Sequence, residues 1–319
     1  MYLLEMFMHL EEVCIALQQM YIGKGDAKII FQTNNGKNIS ISFILKLIFF
    51  TLIFLFSRHL SAKFCAKEDY INYVSDFTGC IAITIHRDVN AEESLYNKKI
   101  VFFIHGDQIE PKVTYFDDFV SNFSFDEVVL ISITRPGWVN NKNNKSDGKK
   151  NISNGDNYIP NIDVDPIYRA IKKIKNKFNS KEIIIVGHSG GAAITGILFG
   201  RFKNIVNEAI LISCPCIVPL WRKSYAAQLF LKNKKRICMP KYKSKSPHEY
   251  VKKIDSKIKI NIFVGEDDKN TLPLFSHQYH FLLKNFGKNS HLKIFSGDHT
   301  SVLKNRKMIE EIRLIILTE

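Results

Sequence analysis

The chain has 319 residues, 45% of them hydrophobic and 12% aromatic, enough to bury a sizeable core as one large α/β domain or two small ones. Its formal net charge of +14 would suit nucleic acid or an anionic membrane surface. The lysines, however, are dispersed and are not interleaved with aromatic side chains at a spacing that stacks bases. We interpret most of this charge as solvated surface and expect no nucleic-acid partner.

The cysteines are too few for a disulfide scaffold. They are Cys14, Cys65, Cys80, Cys214, Cys216 and Cys238. No CxxC pair has the spacing of a zinc site. Buried free thiols are the default expectation, although in an exported domain Cys216 and Cys238 would be available to form a bridge.

Residues 1–38 form a poorly defined N-terminal extension. Segment 39–56, ISISFILKLIFFTLIFLF, is apolar apart from serines and Lys46 and approaches the length that spans a bilayer. With the small residues that follow it, segment 39–62 fits two alternatives, a secretory signal or an uncleaved membrane anchor. We predict an exported or membrane-anchored protein, associated with the membrane through 39–56, or a cytoplasmic one if this segment is not a targeting signal.

From about residue 69 onwards, short β-rich runs alternate with helical patterns. The predicted strands are 80–86, 99–106, 127–134, 182–187, 208–213, 259–265 and 291–297. Most are nearly continuous apolar runs, which is typical of strands buried on both faces of a sheet. The alternation predicts an α/β domain over 69–319, with a mostly parallel central sheet and helices on both faces.

One helix is marked by its apolar spacing. Its predicted buried face comprises Ile167, Ala170, Ile171, Ile174 and Phe178. Asp165 is the expected N-cap and Pro166 the expected first helical residue. Two segments interrupt the strand–helix rhythm. The Asn/Lys/Gly-rich segment 139–162 predicts a mobile loop, and 214–258 is too long for a simple crossover between strands.

A serine between glycines follows one of the predicted strands, in IIIVGHSGGAAI (183–194). The residues fit the pattern G-x-S-x-G. A serine on a sharp strand-to-helix turn needs tiny neighbours two positions away on either side, because strand and helix cross closely there. Gly187 and Gly191 meet this need. Such a turn exposes the Ser189 hydroxyl above the strand ends and directs the helix N-terminus at developing negative charge.

At this point the chain resembles an α/β-hydrolase over residues of about 95–319, and IVGHSGGAA resembles the nucleophile elbow of that superfamily. The resemblance implies an esterase- or lipase-like serine hydrolase with serine, acid and histidine in that order along the chain. Ser189 is the implied nucleophile. His299, in IFSGDHTSVL, follows the last predicted strand, where the family places its general base. His277 and His280 lie instead on a helical pattern.

The implied acid follows the strand 259–265, which leads into Glu266-Asp267-Asp268. The family commonly shows Gly-x-x-Asp here, which favours Asp268 and leaves Asp267 as the alternative. A structural role for this pair is to cap the helix that follows.

The resemblance also implies an oxyanion hole made of two backbone N–H groups. One belongs to Gly190, the residue after the nucleophile. The other is expected from Asp107, because His105-Gly106 resembles the HG motif of the family. A carboxylate beside a developing oxyanion is unfavourable unless it points away or is paired, and Arg135 is the expected partner.

Arg135 and Trp138 belong to TRPGW (134–138), which resembles the RPG turn of the family. A Pro-Gly turn without a catalytic role is the usual interpretation of such a segment. Both residues, with His105 and Gly106, are therefore expected to shape the pocket.

Together these residues predict cleavage of carboxylic esters through an acyl-enzyme, which requires no metal and no organic cofactor. The expected substrate is a small-molecule or lipid ester. A small helical cap is expected at about 214–258, with an apolar underside of Leu220, Trp221, Tyr225, Leu229 and Phe230. Two alternatives remain open: a peptidase or amidase of the same fold, and a non-catalytic, membrane-associated interaction protein.

Overall fold

The computed structural model describes residues 30–32, 38–40, 65–76, 79–86, 95–108, 110, 112–150, 161–233 and 244–318. The chain divides into two units, Met1–Ser61 and Ala62–Glu319. In the first unit, strands β1 (Ile30–Gln32) and β2 (Asn38–Ser40) pair antiparallel. Beyond Ser40, the apolar segment 39–56 lies outside the described residues, so its targeting role stays a prediction. Within the described part of the chain, no helix is long and apolar enough to cross a membrane.

The second unit is built on one eight-stranded sheet. Its strands are β3 (Tyr73–Asp76), β4 (Gly79–Ile85), β5 (Lys99–Ile104), β6 (Val128–Ile133), β7 (Ile183–His188), β8 (Glu208–Ile212), β9 (Lys259–Gly265) and β10 (Ser290–Phe295). Their order across the sheet is β10-β9-β8-β7-β5-β6-β4-β3. Neighbours among β5 to β10 run parallel, whereas β3 and β4 are antiparallel additions at one side. The predicted mostly parallel sheet is confirmed.

Helices cover both faces of this sheet, as predicted. They are α1 (Tyr115–Val120), α2 (Asn161–Lys177), α3 (Gly190–Arg201), α4 (Val218–Asn233), α5 (Pro273–Asn285) and α6 (Arg306–Leu317), with 3-10 turns at Pro247–Lys253 and Ser301–Lys304. The apolar sides of α2, α3 and α5 join one core cluster, and those of α1 and α6 join the other.

Strand β5 shows why the strand sequences are apolar throughout. Ile100, Phe102 and Ile104 point into one cluster, while Val101 and Phe103 point into the other. All five side chains are fully buried. Burying one such side chain contributes about 2 kcal/mol, so a polar residue on either face would be costly. A sheet buried on both faces leaves the ends of its strands as the place for polar chemistry.

The start of α2 differs from the prediction. The helix begins at Asn161 and contains Pro166, so Asp165 is not its N-cap. Pro166 is the sixth residue of this helix, so its missing N–H removes one intrahelical hydrogen bond. The additional turn brings the Asp163 carboxylate within 3.0 Å of Arg135 Nη2, in a buried ion pair. The predicted apolar face of α2 is confirmed.

Residues 139–150 are not the mobile loop that their composition predicts. The Asp147 N–H donates to Cys80 O at 2.8 Å, and Asp147 Oδ2 accepts from the Cys80 N–H at 2.9 Å. Ser146 Oγ accepts from the Ala82 N–H at 2.8 Å. The segment therefore extends the hydrogen bonding of β4, a long-range pairing that composition does not reveal. Residues 151–160 lie outside the described part.

The default expectation of free thiols is wrong for four cysteines. Cys65 is bonded to Cys80, and Cys214 to Cys216, with Cα–Cα distances of 4.7 and 5.1 Å. Both distances lie within the range that a disulfide spans. Because Cys216 is already paired, it is not available for the bridge to Cys238 that was considered for an exported domain; Cys238 itself lies outside the described residues.

Candidate active site

The turn at Ser189 joins β7 to α3 in a conformation that few residues adopt. Ser189 has φ 52° and ψ −119°, a strained backbone for a non-glycine residue. A Cβ added at Gly187 would lie 2.6 Å from Gly191 O, and one added at Gly191 would lie 2.0 Å from Ile104 O. Any side chain at either position would push α3 away from the sheet. The close crossing expected from the glycine spacing is therefore present.

Three polar side chains from different loops form a hydrogen-bonded series. Ser189 Oγ lies 3.0 Å from His299 Nε2, and His299 Nδ1 lies 2.8 Å from Asp268 Oδ2. Ser189 follows β7, Asp268 follows β9 and His299 follows β10, so all three stand at the carboxyl edge of the parallel strands. The Asp268 side chain is fully buried, while that of His299 is 18% exposed. This is the geometry in which an imidazole accepts a proton from a serine hydroxyl.

Asp268 is both a hydrogen-bond partner of His299 and a cap of its own turn. Its Oδ1 accepts from the N–H groups of Asn270 and Thr271, at 2.9 and 2.7 Å. Its Oδ2 accepts from Thr271 Oγ1 at 2.7 Å in addition to His299. Asp267 is exposed and does not contact the histidine. The capping role expected of the pair and the contact with His299 thus both fall on Asp268.

These contacts determine the protonation of Asp268. Burial raises the pKa of this carboxyl, but the hydrogen bonds from His299 and Thr271 and the charge of His299 outweigh burial, so the pKa lies below its ordinary value. Asp268 is therefore a carboxylate at neutral pH and orients the imidazole with its Nδ1–H towards Oδ2.

The loop after β5 lies directly against the serine. A Cβ added at Gly106 would be 2.8 Å from Ser189 Cβ, and one added at Gly190 would be 3.1 Å from Asp107 Oδ1. The Asp107 N–H makes no hydrogen bond within the described residues. The N–H of Gly190, as the first residue of α3, has no partner inside the helix. The two residues expected to hold an oxyanion thus lie next to each other beside Ser189.

The structure pairs Asp107 with Arg135. Arg135 Nη1 donates to Asp107 Oδ1 at 2.6 Å, and Nη2 donates to Asp163 Oδ2 at 3.0 Å. The Arg135 side chain is 1% exposed, so its charge is compensated by two carboxylates in a low-dielectric position. The unfavourable charge noted in the sequence is thus paired with a buried guanidinium, which Asp107 shares with Asp163.

A cavity of about 380 Å³ opens above Ser189. It is lined by Asp107, Gln108, Tyr115, His188, Ser189, Trp221, Tyr225, Asn270, His299 and Thr300. His105, Gly106, Arg135 and Trp138 are not part of this lining, which corrects the expectation that they shape the pocket directly. They lie behind it: His105 Nε2 accepts from the Arg135 N–H at 3.0 Å, and the rings of His105 and Trp138 are 5.2 Å apart.

Helix α4 supplies an aromatic wall of the cavity. The rings of Trp221 and Tyr225 stack 5.6 Å apart at 13°. Trp221 Nε1 donates to Asn270 Oδ1 at 3.4 Å, which links the wall to the loop that carries Asp268. Of the predicted cap, the structure describes α4 and the 3-10 turn Pro247–Lys253 between β8 and β9. Residues 234–243 and the side chains of Leu229 and Phe230 lie outside the description.

Sequence reasoning missed three contributors to the site: Tyr115, Thr271 and the role of His188. His188 occupies the variable position of the G-x-S-x-G pattern and gave no signal beyond being a histidine. Tyr115 and Thr271 belong to no motif, and only the fold brings them to the strand ends. Within the described residues, no group of three or more His, Cys, Asp or Glu side chains is arranged to hold a metal ion.

Two histidines beside the site are held neutral. Burial, reinforced by the charge of Arg135, lowers the pKa of His105 to about 3. Burial, reinforced by the charge of His299, lowers the pKa of His188 to about 3 as well. An exposed histidine in the unfolded chain has a pKa of about 6.5. The unfolded state therefore binds more protons between pH 6.5 and pH 3.

We expect acid to destabilise the fold through these histidines. The stabilisation is fully present above pH 6.5 and is lost as the pH falls towards 3, with about 2 kcal/mol lost per histidine at pH 5. The measurement is the free energy of unfolding in urea at pH 7.5 and pH 5 for wild type and His188→Gln. The variant should lose about 2 kcal/mol less than wild type between the two pH values, whereas the exposed control His277→Gln should lose as much as wild type. An equal loss in His188→Gln would contradict the neutral, buried assignment.

The sheet order, the strained turn after β7 and the polar loops after β5, β9 and β10 define the class: the chain has the α/β-hydrolase fold. It is similar to the esterase Est1E from Butyrivibrio proteoclasticus, at 13% identity and a TM-score of 0.54, covering 77% of this chain and 98% of that one. The Pyrococcus furiosus esterase Pf2001 is similar at 14% identity and a TM-score of 0.52, over 80% and 92% of the two chains.

A Pyrococcus horikoshii acylaminoacyl peptidase matches over 76% of this chain but only 40% of its own, at 15% identity and a TM-score of 0.54. At such identities the likeness establishes the fold alone. No protein-family model and no curated protein matches the sequence.

Proposed function

We propose that the protein is a serine hydrolase of carboxylic esters that works through Ser189, His299 and Asp268. The observation that carries the proposal is the hydrogen-bonded series at the strained turn, 3.0 Å from Ser189 Oγ to His299 Nε2 and 2.8 Å from His299 Nδ1 to Asp268 Oδ2. Esterases are among the solved structures with this fold, which supports a hydrolase in general.

In the proposed reaction, Ser189 Oγ attacks the ester carbonyl carbon while His299 Nε2 takes the hydroxyl proton. The Asp268 carboxylate stabilises the imidazolium that forms. The N–H groups of Gly190 and Asp107 donate to the oxyanion. The C–O bond to the alcohol then breaks, His299 returns the proton to the leaving oxygen, and the acyl group remains on Ser189. A water molecule, deprotonated by His299, then attacks the acyl carbon; the bond to Ser189 Oγ breaks, His299 returns the proton to Oγ, and the acid is released.

The proposed substrate is an ester with a compact acyl group. The cavity of about 380 Å³ is near the lower end of the size range of ligand pockets. Its described walls combine the Trp221–Tyr225 pair with polar groups such as Gln108 and Asn270. Lipid esters, whose acyl chains are longer, are the alternative substrate class.

The test combines covalent labelling with a substrate panel. The full-length protein should be labelled by a fluorophosphonate probe at Ser189 and should hydrolyse p-nitrophenyl esters of increasing acyl length, with the highest kcat/KM for short chains. Matched anilides of the same acyl groups separate esterase from peptidase or amidase. This alternative is included because an acylaminoacyl peptidase is among the solved structures with this fold. A protein that is neither labelled nor active on any member of the panel would refute the proposal and favour an interaction role.

A further inference from the structure

The residue before the nucleophile, His188, makes two hydrogen bonds that join separate loops. Its Nδ1 lies 3.1 Å from Tyr115 Oη, and its Nε2 lies 2.9 Å from the carbonyl oxygen of His299. Tyr115 Oη in turn accepts from the N–H of Gly106 at 2.7 Å. One chain of hydrogen bonds thus runs from the loop after β5, through the end of β7, to the loop after β10.

The donors along this chain are determined by its two ends. The Gly106 N–H can only donate, so Tyr115 Oη accepts from it and uses its own proton towards His188 Nδ1. The His299 carbonyl can only accept, so His188 donates from Nε2–H. His188 is therefore the neutral tautomer with its proton on Nε2. Its burial, at 3% exposure, supports the neutral form, and burial raises the pKa of Tyr115, which keeps the phenol protonated.

The bond at His299 addresses a geometric problem of the fold. Strands β8 and β9 separate β10 from β7, so the loop after β10 must reach across them to place His299 beside Ser189. Asp298 holds the exposed side of this loop, because its Oδ1 accepts from the N–H groups of Thr300 and Ser301. His188 holds the inner side through the His299 carbonyl, and its ring packs between Tyr115 and His299, with centroids 5.6 and 5.0 Å away.

We infer that His188 is a positioning residue. Together with Tyr115, it fixes both the loop after β5, at Gly106, and the backbone of His299 relative to Ser189. This inference rests on the proposed hydrolase function. The pair orients residues 106–107 and the loop after β10 together. It thereby keeps the N–H of Asp107 and the imidazole of His299 within reach of the reacting carbonyl beside Ser189. Misplacing a reacting group by about 1 Å can cost roughly a hundredfold in rate.

The test removes one hydroxyl. Tyr115→Phe leaves the Gly106 N–H without its acceptor and His188 Nδ1 without its donor. We expect kcat to fall roughly tenfold to a hundredfold, with KM changed less than about twofold, because ground-state binding does not use these bonds. The matched control is Tyr279→Phe: Tyr279 is fully buried on α5, and its hydroxyl has no hydrogen-bond partner among the described residues. This control should keep wild-type kcat.

Two further readouts separate positioning from stability. In His188→Gln the amide nitrogen can still donate to the His299 carbonyl, so this variant should retain several-fold more kcat than His188→Phe. Nitrogen-15 NMR of the histidine rings should show wild-type His188 neutral with its proton on Nε2 at pH 7. In Tyr115→Phe the His299 carbonyl still accepts from Nε2–H, so the tautomer should persist while the Nδ1 resonance shifts with the loss of its hydrogen bond. The NMR readout does not depend on activity.

The outcomes are distinct. If wild type fails on every ester and with the fluorophosphonate probe, the proposed function falls. If wild type is active and folded Tyr115→Phe keeps its kcat, or falls no further than Tyr279→Phe, the positioning role is refuted while the function stands. A wild-type His188 with its proton on Nδ1 would also overturn the inference.

Discussion

Ser189→Ala is expected to lower kcat/KM for p-nitrophenyl esters roughly 10⁵-fold, close to complete loss in an ordinary assay. The variant removes the oxygen that would form the acyl-enzyme and leaves His299 without a hydroxyl to deprotonate. What activity remains would come from water bound near the oxyanion donors. Labelling by the fluorophosphonate probe should disappear together with hydrolysis.

The matched control for this variant is Ser276→Ala. Ser276 is buried on α5, and its hydroxyl has no hydrogen-bond partner among the described residues. The control makes the same chemical change away from the strand ends and should keep wild-type kinetics. Circular dichroism and the Tm of both variants should match wild type within a few degrees. A folded Ser189→Ala protein that still hydrolyses esters at the wild-type rate would refute the nucleophile.

Asp268→Asn is expected to lower kcat roughly 10⁴-fold, with little change in KM. Asparagine keeps an oxygen for the N–H groups of Asn270 and Thr271, so the turn should remain intact. It cannot, however, accept from His299 Nδ1–H with a carboxylate charge, and its NH₂ group favours the tautomer with the proton on Nε2. That tautomer cannot take a proton from Ser189.

The neighbouring carboxylate provides the control. Asp267 is exposed, and Asp267→Asn removes the same charge one residue away; we expect kcat within about twofold of wild type. Comparable losses in both variants would assign the effect to the local field and not to the contact with His299. A large loss in Asp267→Asn alone would make Asp267 the triad acid.

Most of the fold was predictable because its signals are local. The apolar runs that became β4 to β9 needed only the rule that a strand buried on both faces lacks polar alternation, whereas the edge strand β10 is largely exposed. The seven-residue strand β4 and the shorter β7 stand within one or two residues of their predicted bounds. Strand β3 was missed because YVSD is short, half polar and paired with only one neighbour. The start of α2 was misjudged because Pro166 lies inside the helix, one turn after its start, and the preceding residues place Asp163 against Arg135 from a distant loop.

The candidate site likewise combines features that local sequence predicts with contacts that it does not predict. The spacing of Gly187 and Gly191 around Ser189 has a local steric cause, and its effect was predicted. The expectation that Arg135 would neutralise Asp107 followed from charge near a proposed oxyanion, but the second carboxylate on that guanidinium was not foreseen. No sequence pattern predicted the hydrogen bond between Tyr115 and His188, because the two residues lie 73 positions apart and share no motif.

By itself, the sequence determined the alternation of strands and helices, the tight turn that presents Ser189, and the order of serine, aspartate and histidine along the chain. The first two depend on neighbours within a few residues, and the third is given directly by the positions of these residues in the chain. Tertiary structure alone decided that Asp268 and not Asp267 contacts His299, that Cys214 pairs with Cys216, and that Tyr115 reaches His188. These contacts join loops whose separation is set by the order of strands in the sheet, and that order is a property of packing and not of any local pattern.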